Sequence, residues 1–346
     1  MPKDIKIGNI TISQKSPPVI IAEIGINHNG SLKAALQLVD LAIKSGAQII
    51  KHQTHVVEDE MSSEAKKIIP GNSKKSIYRI IKECSLSEKD EYKLMTYVRS
   101  KKRVFISSPF SRKAVDRLEK FGVPAYKIGS GECNNYPLVE YIAKKNKPII
   151  LSTGMNTISS IRPAVKILKK YKIPHILLHC TNIYPTPPKL VKLDAMLELK
   201  KNFKNTFYGL SDHTSNIYCS IGAMAMGAKL IEKHFVKSKK DKGPDVSASM
   251  SPHELESLIE ASRTIFEAKI LKKKGPDKAE SKTIDFAFGS VASLKDIKKN
   301  EIFTEKNIFT IRPGTGFFKV KDYKKILGKK AKRNIKKNVQ LKKLDV

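Results

Sequence analysis

The sequence predicts an α/β fold, a (β/α)8 barrel followed by a small second domain, on three observations. Eight short apolar runs alternate with helical patterns over about the length that this barrel needs. A polar cluster follows each run, as expected where the active-site groups of a barrel collect at the carboxyl ends of its strands. No Gly-x-Gly-x-x-Gly turn follows an early run, which counts against a doubly wound sheet.

In chain order, residues 5–13 alternate apolar and polar around Gly8-Asn9 and predict a hairpin that plugs one end of the barrel. The strand-forming runs are 19–22, 47–50, 104–106, 125–126, 149–151, 176–178, 206–210 and 229–231. Ser31 caps the first barrel helix, whose Leu32, Ala35, Leu36 and Val39 share one face, and Gly46 ends it. Ser111 opens another, with Ala114, Val115 and Leu118 inward. The connection 56–87 has the length of a lid, contains Asn72, and carries a short helix on Ile77, Ile80, Ile81 and Cys84. The barrel domain spans 1–271, the aperiodic stretch 272–284 reads as a linker, and 285–346 is a compact, loop-rich second domain with the turn Arg312-Pro313-Gly314-Thr315-Gly316.

A length of 346 residues allows a large core, and the formal charge of +33 raises nucleic acid or a membrane surface as partners. The lysines, however, spread along helix faces, and no aromatic-basic signature of an RNA-binding sheet is present. The densest basic segment, 319–343, is where a polyanion would bind if the barrel were only a scaffold; such binding would be steeply salt-dependent. Nucleic acid is not the expected partner. Four scattered cysteines fit a reduced cytoplasm, and the first apolar stretch, 19–24, is too short to span a membrane. A cytoplasmic location without membrane attachment is the expectation.

Function is concentrated at the predicted rim. His213 and His234 each follow an apolar run and stand beside a carboxylate, Asp212 and Glu232, of the kind that orients a ligating ring or shares the ion. Either histidine alone reads as a polar residue at a strand end; the pair points to a metal. Lys51 and Lys127, with hydroxyls and amides at Ser108, Ser130, Ser152, Asn182 and Ser211, offer the charge and hydrogen bonds that a phosphate needs. Lys127 as a Schiff-base lysine is the competing chemistry. No Gly-x-x-x-x-Gly-Lys-Ser/Thr loop is present, so a nucleoside triphosphate is not the substrate.

These motifs carry a family resemblance. The runs Ala22-Glu23-Ile24-Gly25-Ile26-Asn27-His28-Asn29-Gly30, Lys51-His52-Gln53-Thr54, Tyr126-Lys127-Ile128-Gly129-Ser130-Gly131-Glu132, Leu151-Ser152-Thr153-Gly154-Met155, His179-Cys180-Thr181, Tyr184-Pro185, Ser211-Asp212-His213-Thr214 and Glu232-Lys233-His234-Phe235 together resemble the sialic acid synthase family. The tail from Phe286 resembles its antifreeze-like (SAF, β-clip) domain. The resemblance implies condensation of phosphoenolpyruvate with a 2-acetamido hexose. It implies a divalent metal on His213 and His234, Mn2+ first, with Mg2+ or Co2+ as substitutes. It assigns phosphoenolpyruvate to Ser108, Lys127, Ser130, Ser152, Asn182 and Ser211, and the sugar to Gln53, Asn72, Tyr184, Asp245 and Arg312. Glu23, Lys51 and Glu132 then surround the reacting carbons. Arg312 corresponds to an arginine lent to the partner's barrel, which implies a domain-swapped homodimer with the C-terminal domain over that barrel. Lys51-His52-Gln53-Thr54-His55 with Glu58-Asp59-Glu60-Met61, and Glu132-Cys133-Asn134-Asn135, are most similar to the bacterial N-acetylneuraminate branch, whose acceptor is N-acetylmannosamine. Legionaminic and pseudaminic acid synthases are the alternatives within the family.

Overall fold

The computed structural model describes residues 2–70, 74–271 and 273–346, in two compact units, Met1–Ile270 and Leu271–Val346. The first opens with an antiparallel hairpin, β1 (Ile5–Ile7) and β2 (Ile10–Ile12). Eight parallel strands then close a barrel: β3 (Val19–Gly25), β4 (Ile49–Thr54), β5 (Val104–Pro109), β6 (Tyr126–Ile128), β7 (Ile149–Ser152), β8 (His175–Cys180), β9 (Phe207–Asp212) and β10 (Leu230–His234). They follow chain order, and β10 pairs with β3 to close the ring.

Side chains alternate between lumen and helix layer along each strand. Ile20, Ala22 and Ile24 of β3 join the core beneath the helices, whereas Ile21 faces the lumen. The lumen floor collects Ile21, Ile49, Ile106, Ile150, Leu178 and Leu230, and the hairpin inserts Ile5, Ile7 and Ile12 into the same cluster. The hairpin therefore plugs the amino-terminal end of the barrel. The strands outlast the apolar runs that announced them: β3 continues to Gly25 and β8 to Cys180. Thus many of the rim residues belong to the strands, next to the floor in the same lumen, and not to loops beyond it.

Ser31 caps the helix Leu32–Lys44 by accepting from the Ala34 N–H. The long connection after β4 holds a helical turn, Val57–Glu60, a 3-10 turn, Ser63–Lys66, and the helix Ile77–Cys84 on the expected residues. Val57, Ile81 and Cys84 pack on Ile26, fixing this cover over the rim. Asn72 lies outside the described residues. No helix among the described residues is long and apolar enough to cross a membrane.

In the second unit, the stretch read as a linker carries a 3-10 turn, Lys278–Glu280, and the start of a helix, Ser281–Ala287. Beyond it β11 (Ser290–Ser293) pairs antiparallel with β12 (Ile308–Ile311). Val291, Phe303, Ile308, Ile335 and Leu341 form a separate small core.

Candidate active site

The carboxyl ends of the strands surround a cavity of about 380 Å³. Because inward positions recur every second residue, β4 sends Lys51 and Gln53 into it, and β10 sends Glu232 and His234. Ser108, Lys127, Ser152 and Ser211 arrive on β5, β6, β7 and β9, while Ser130, Glu132, Asn182, Tyr184, His213 and Asp245 come from the loops that follow strands. Glu23 is buried on β3, ion-paired to Lys51. Three of the site residues expected from the sequence are not gathered there, of which Asp212 turns away from the cavity. Asn72 is undescribed, and Arg312 belongs to the second unit, where it is exposed.

Charge at the centre is shared among buried groups. Glu232 Oε1 lies 3.3 Å from Lys127 Nζ and accepts from Ser211 Oγ at 3.0 Å; its Oε2 lies 3.9 Å from Lys51 Nζ. Burial opposes charge on Lys51 and Glu232, yet Glu23 and Glu232 hold the Lys51 ammonium above its usual range, and Lys127 and Lys51 hold Glu232 below its own. Glu132 has no such cation in close contact: burial raises its carboxyl to about 7, with Glu60 adding to the shift. Burial and Glu23 lift Asp245 to about 6.

Here one expectation needs correcting. Asp212 and Glu232 were expected to orient the histidines or share their ion; neither bonds to His213 or His234, and of the two only Glu232 lines the cavity with them. Asp212 points into the helix layer, where it accepts from Ser220 Oγ at 2.6 Å and pairs with Lys233 at 3.3 Å. Glu232 pairs with the lysines. Strand parity is the reason: Asp212 and Lys233 occupy outward positions, Glu232 and His234 inward ones.

The histidines are held by other groups. His213 Nδ1 donates to the Thr181 carbonyl at 2.9 Å, which turns Nε2 toward the Tyr184 hydroxyl, 3.2 Å away. His234 lies 5.4 Å from His213 between ring centroids, and its Nδ1 is buried without a hydrogen-bond partner, with an Asp245 oxygen 3.6 Å away. Burial, then His213, drives the His234 imidazole well toward its neutral form. A neutral ring with an unused lone pair is the donor a divalent cation needs. Among the described residues no group of three or more His, Cys, Asp or Glu is arranged as a metal site. The two imidazoles fit a cation whose remaining positions go to substrate or water.

Buried polar atoms are normally satisfied, so orphans mark where a ligand belongs. Among the described residues, three of the six such side-chain atoms line this cavity: Ser152 Oγ, Glu232 Oε2 and His234 Nδ1. Glycine makes the close packing possible. Gly25 has φ +48°, and a Cβ there would stand 2.7 Å from Glu23 Oε1 and 3.3 Å from His234 Nδ1. A Cβ on Gly154 would stand 2.0 Å from Asn182 Oδ1, where its N–H donates to Ser130 Oγ at 3.0 Å.

Sequence reasoning gave no role to several groups. Cys180 lines the cavity, and His55 stacks on Phe110 with centroids 4.3 Å apart. Behind β4, His52 meets His28 at 3.1 Å and Glu91 at 3.2 Å, and Arg117 meets Glu91 at 3.1 Å. Burial, then His52, pushes His28 down to about 3. This network braces β4 from outside. Strand parity would have assigned His52 to that side; the distant Glu91 left no local signal.

Comparison with known proteins agrees with this geometry. The NeuB family pattern matches residues 38–274 and the SAF domain pattern residues 289–346. The chain is 40% identical to N,N'-diacetyllegionaminic acid synthase of Campylobacter jejuni, over 92% of this chain and 97% of that protein. It is 35% identical to a pseudaminic acid synthase of the same species, over 99% of both. The crystal structure of an N-acetylneuraminic acid (sialic acid) synthetase from Leptospira borgpetersenii superposes with a TM-score of 0.75 at 33% identity, covering 82% of this chain and 96% of the other. The two family matches, and a barrel whose lumen gathers two lysines, paired carboxylates and two histidines and which a SAF domain follows in the chain, place this protein in the NeuB family of sialic acid synthases.

Proposed function

We propose that the protein is an N-acetylneuraminate synthase, condensing phosphoenolpyruvate with open-chain N-acetylmannosamine and water to give N-acetylneuraminate and phosphate. The observation that carries this reading is that three buried orphan atoms, Ser152 Oγ, Glu232 Oε2 and His234 Nδ1, line one lumen with Lys127 and Lys51. Lys127, with Ser108, Ser130, Ser152, Asn182 and Ser211, holds the anionic phosphoenolpyruvate. The sugar lies toward Gln53, Tyr184 and Asp245, with Asn72 as a further contact. A divalent cation on His213 and His234, Mn2+ first and Mg2+ or Co2+ as substitutes, would supply Lewis-acid polarisation of the acceptor aldehyde.

The enol carbon forms the new C–C bond to that aldehyde, water adds to the resulting cationic carbon, and the C–O bond to phosphate breaks. Glu132, half-protonated near neutrality, is suited to take the proton of that water; Glu23 is the other carboxylate in place. Lys51, charged between Glu23 and Glu232, stabilises the negative charge or passes a proton to the new hydroxyl.

The 40% identity to a legionaminic acid synthase favours a second reading in which the acceptor is the legionaminic precursor; the pseudaminic precursor is a third. Each acceptor, supplied separately with phosphoenolpyruvate and Mn2+, should be followed by phosphate release and product mass. Turnover of N-acetylmannosamine at least tenfold better than the others supports the first reading. Preference for either precursor replaces it.

The proposal includes a homodimer in which Arg312 serves the partner's barrel. Its support is that the second unit exposes Phe286, Phe288, Phe309 and Phe317, each half or more accessible, and that Arg312 of the same unit is exposed as well. Mixing inactive Arg312→Ala with inactive Lys127→Ala should restore activity through hybrids, since one barrel then has both intact groups. Verified subunit exchange without recovery rules out donation in trans.

A further inference from the structure

The proposed mechanism uses Gln53 and Glu23 but gives no role to His55 and Glu60, which continue the same chain at the edge of the cavity. Glu60, His55, Gln53 and Glu23 are linked in sequence. Both carboxylate oxygens of Glu60 lie 3.0 Å from His55 Nδ1. His55 Nε2 lies 3.2 Å from Gln53 Oε1, and Gln53 Nε2 donates to Glu23 Oε1 at 3.4 Å.

Donor and acceptor arithmetic orients every member. Glu23 accepts, so the Gln53 amide keeps its NH2 on that side and its carbonyl oxygen toward His55. Reversing the amide would set its oxygen against the Glu23 carboxylate. Both His55 nitrogens then face acceptors, Glu60 and Gln53, so both donate. The Gln53 carbonyl is thereby turned toward His55 and held there, which leaves the second N–H of the amide, fixed in direction, to meet a substrate. The ring itself is clamped: His55 lies flat on Phe110, with 13° between planes, and its side chain is 3% accessible. Glu60 ends the turn Val57–Glu60, which Val57 pins to Ile26 and Ile81, and which Asp59 fixes by accepting from the Lys113 N–H at 3.0 Å.

The simpler account is a satisfied buried ion pair that only stiffens the turn. Against it, the second His55 nitrogen is spent on Gln53, a cavity-lining side chain beside Glu23 and close to His234 across Gly25. A purely structural histidine would have no need to address that amide.

We propose that His55 and Glu60 are positioning residues that lock the Gln53 amide as a hydrogen-bond donor, so that the site selects an acceptor sugar presenting an oxygen, hydroxyl or acetamido carbonyl, at that point. The proposal rests on the condensation reading for its substrate but not for its geometry, and two measurements separate them. In the first, steady-state constants are compared for wild type, His55→Phe, His55→Gln, Glu60→Gln and Gln53→Ala. His55→Phe keeps the stacking and loses both hydrogen bonds; it should raise the acceptor KM roughly tenfold or more, with phosphoenolpyruvate KM within about twofold. His55→Gln, which retains a donor, should recover part of the loss. Because His55 acts through Gln53, His55→Phe/Gln53→Ala should be no worse than Gln53→Ala alone. Loss equal for both substrates, no loss, or a double variant that multiplies the single losses overturns the proposal.

The second measurement needs no substrate. Proteins labelled with 15N in their histidines should show two hydrogen-bonded ring N–H signals that disappear together in His55→Gln. Glu60→Gln should move one of them and Gln53→Ala the other. A single N–H signal for His55, or none that responds to Gln53→Ala, overturns the geometry even if no acceptor is ever turned over.

Discussion

The two ends of the barrel lumen are built from the same strands and differ in every physical respect. At the floor, Ile21, Ile49, Ile150 and Leu230 are sealed by the hairpin's isoleucines. Two residues further along, the same strands place Glu23, Lys51, Ser152 and Glu232 in the same lumen. The floor is built of apolar side chains that need no hydrogen-bond partner, whereas the upper layer is buried charge with orphaned polar atoms. Burying charge is costly unless partners are complete, so the upper layer holds its groups ready for a ligand at the expense of stability. The lower layer supplies the stability that tolerates it.

The largest effect tests whether the upper layer is catalytic at all. His234→Leu should reduce turnover by about a thousandfold or more while leaving the melting temperature unchanged or slightly raised, because an unpartnered ring nitrogen is replaced by a shape that needs no partner. Chelator should reproduce the kinetic loss on wild type. Full rate in chelator would return the histidine pair to ordinary polar residues.

Next, Lys127→Met should cost on the order of a hundredfold in turnover. It should also destabilise the fold by roughly 3 kcal/mol, since Glu232 would lose its nearest cation while staying buried. Adding Glu232→Gln should recover most of the stability and none of the activity. Recovery of both would show that the pair is structural. At the floor the result should invert: Ile150→Ala should cost about 2–5 kcal/mol in denaturant unfolding, with turnover of the folded enzyme within twofold.

That division also explains what the sequence disclosed. The floor announces itself, because eight apolar runs and the hairpin alternation reflect side chains that must avoid water, and they predict the barrel. The rim was legible as polar residues after those runs, but the strand ends were not. Lys51, Gln53 and Glu232 interrupt hydrophobicity while remaining in strand, so the runs looked shorter than β4 and β10 are. The same oversight of parity put Asp212 beside the histidines. His55 and Glu60 were read only as parts of runs that resemble one branch of the family and received no role, because the four-residue turn that carries Glu60 is too short for periodicity. Their meeting with Gln53 and Glu23 depends on barrel closure, which no local pattern encodes.

The smallest effect, and the finest test of the contrast, is the pH dependence of Glu132. Burial, reinforced by Glu60, raises its carboxyl from an ordinary 4.5 to about 7. If its carboxylate takes the proton of the attacking water, kcat/KM should fall about tenfold per pH unit below 7, and Glu132→Gln should flatten that limb at a lower plateau. Stability should move in the opposite direction. A carboxyl whose folded value is raised binds its proton more tightly in the native state. Its stabilising contribution is therefore complete below about 4.5 and is lost as pH rises through about 7. Between pH 5 and 7 the wild type should gain activity while losing stability relative to Glu132→Gln, which cannot titrate there. Parallel pH profiles of kcat/KM and melting temperature for the two proteins measure both signs. An acidic limb that survives in Glu132→Gln assigns the ionisation to another group, with Asp245, raised to about 6, the next to substitute.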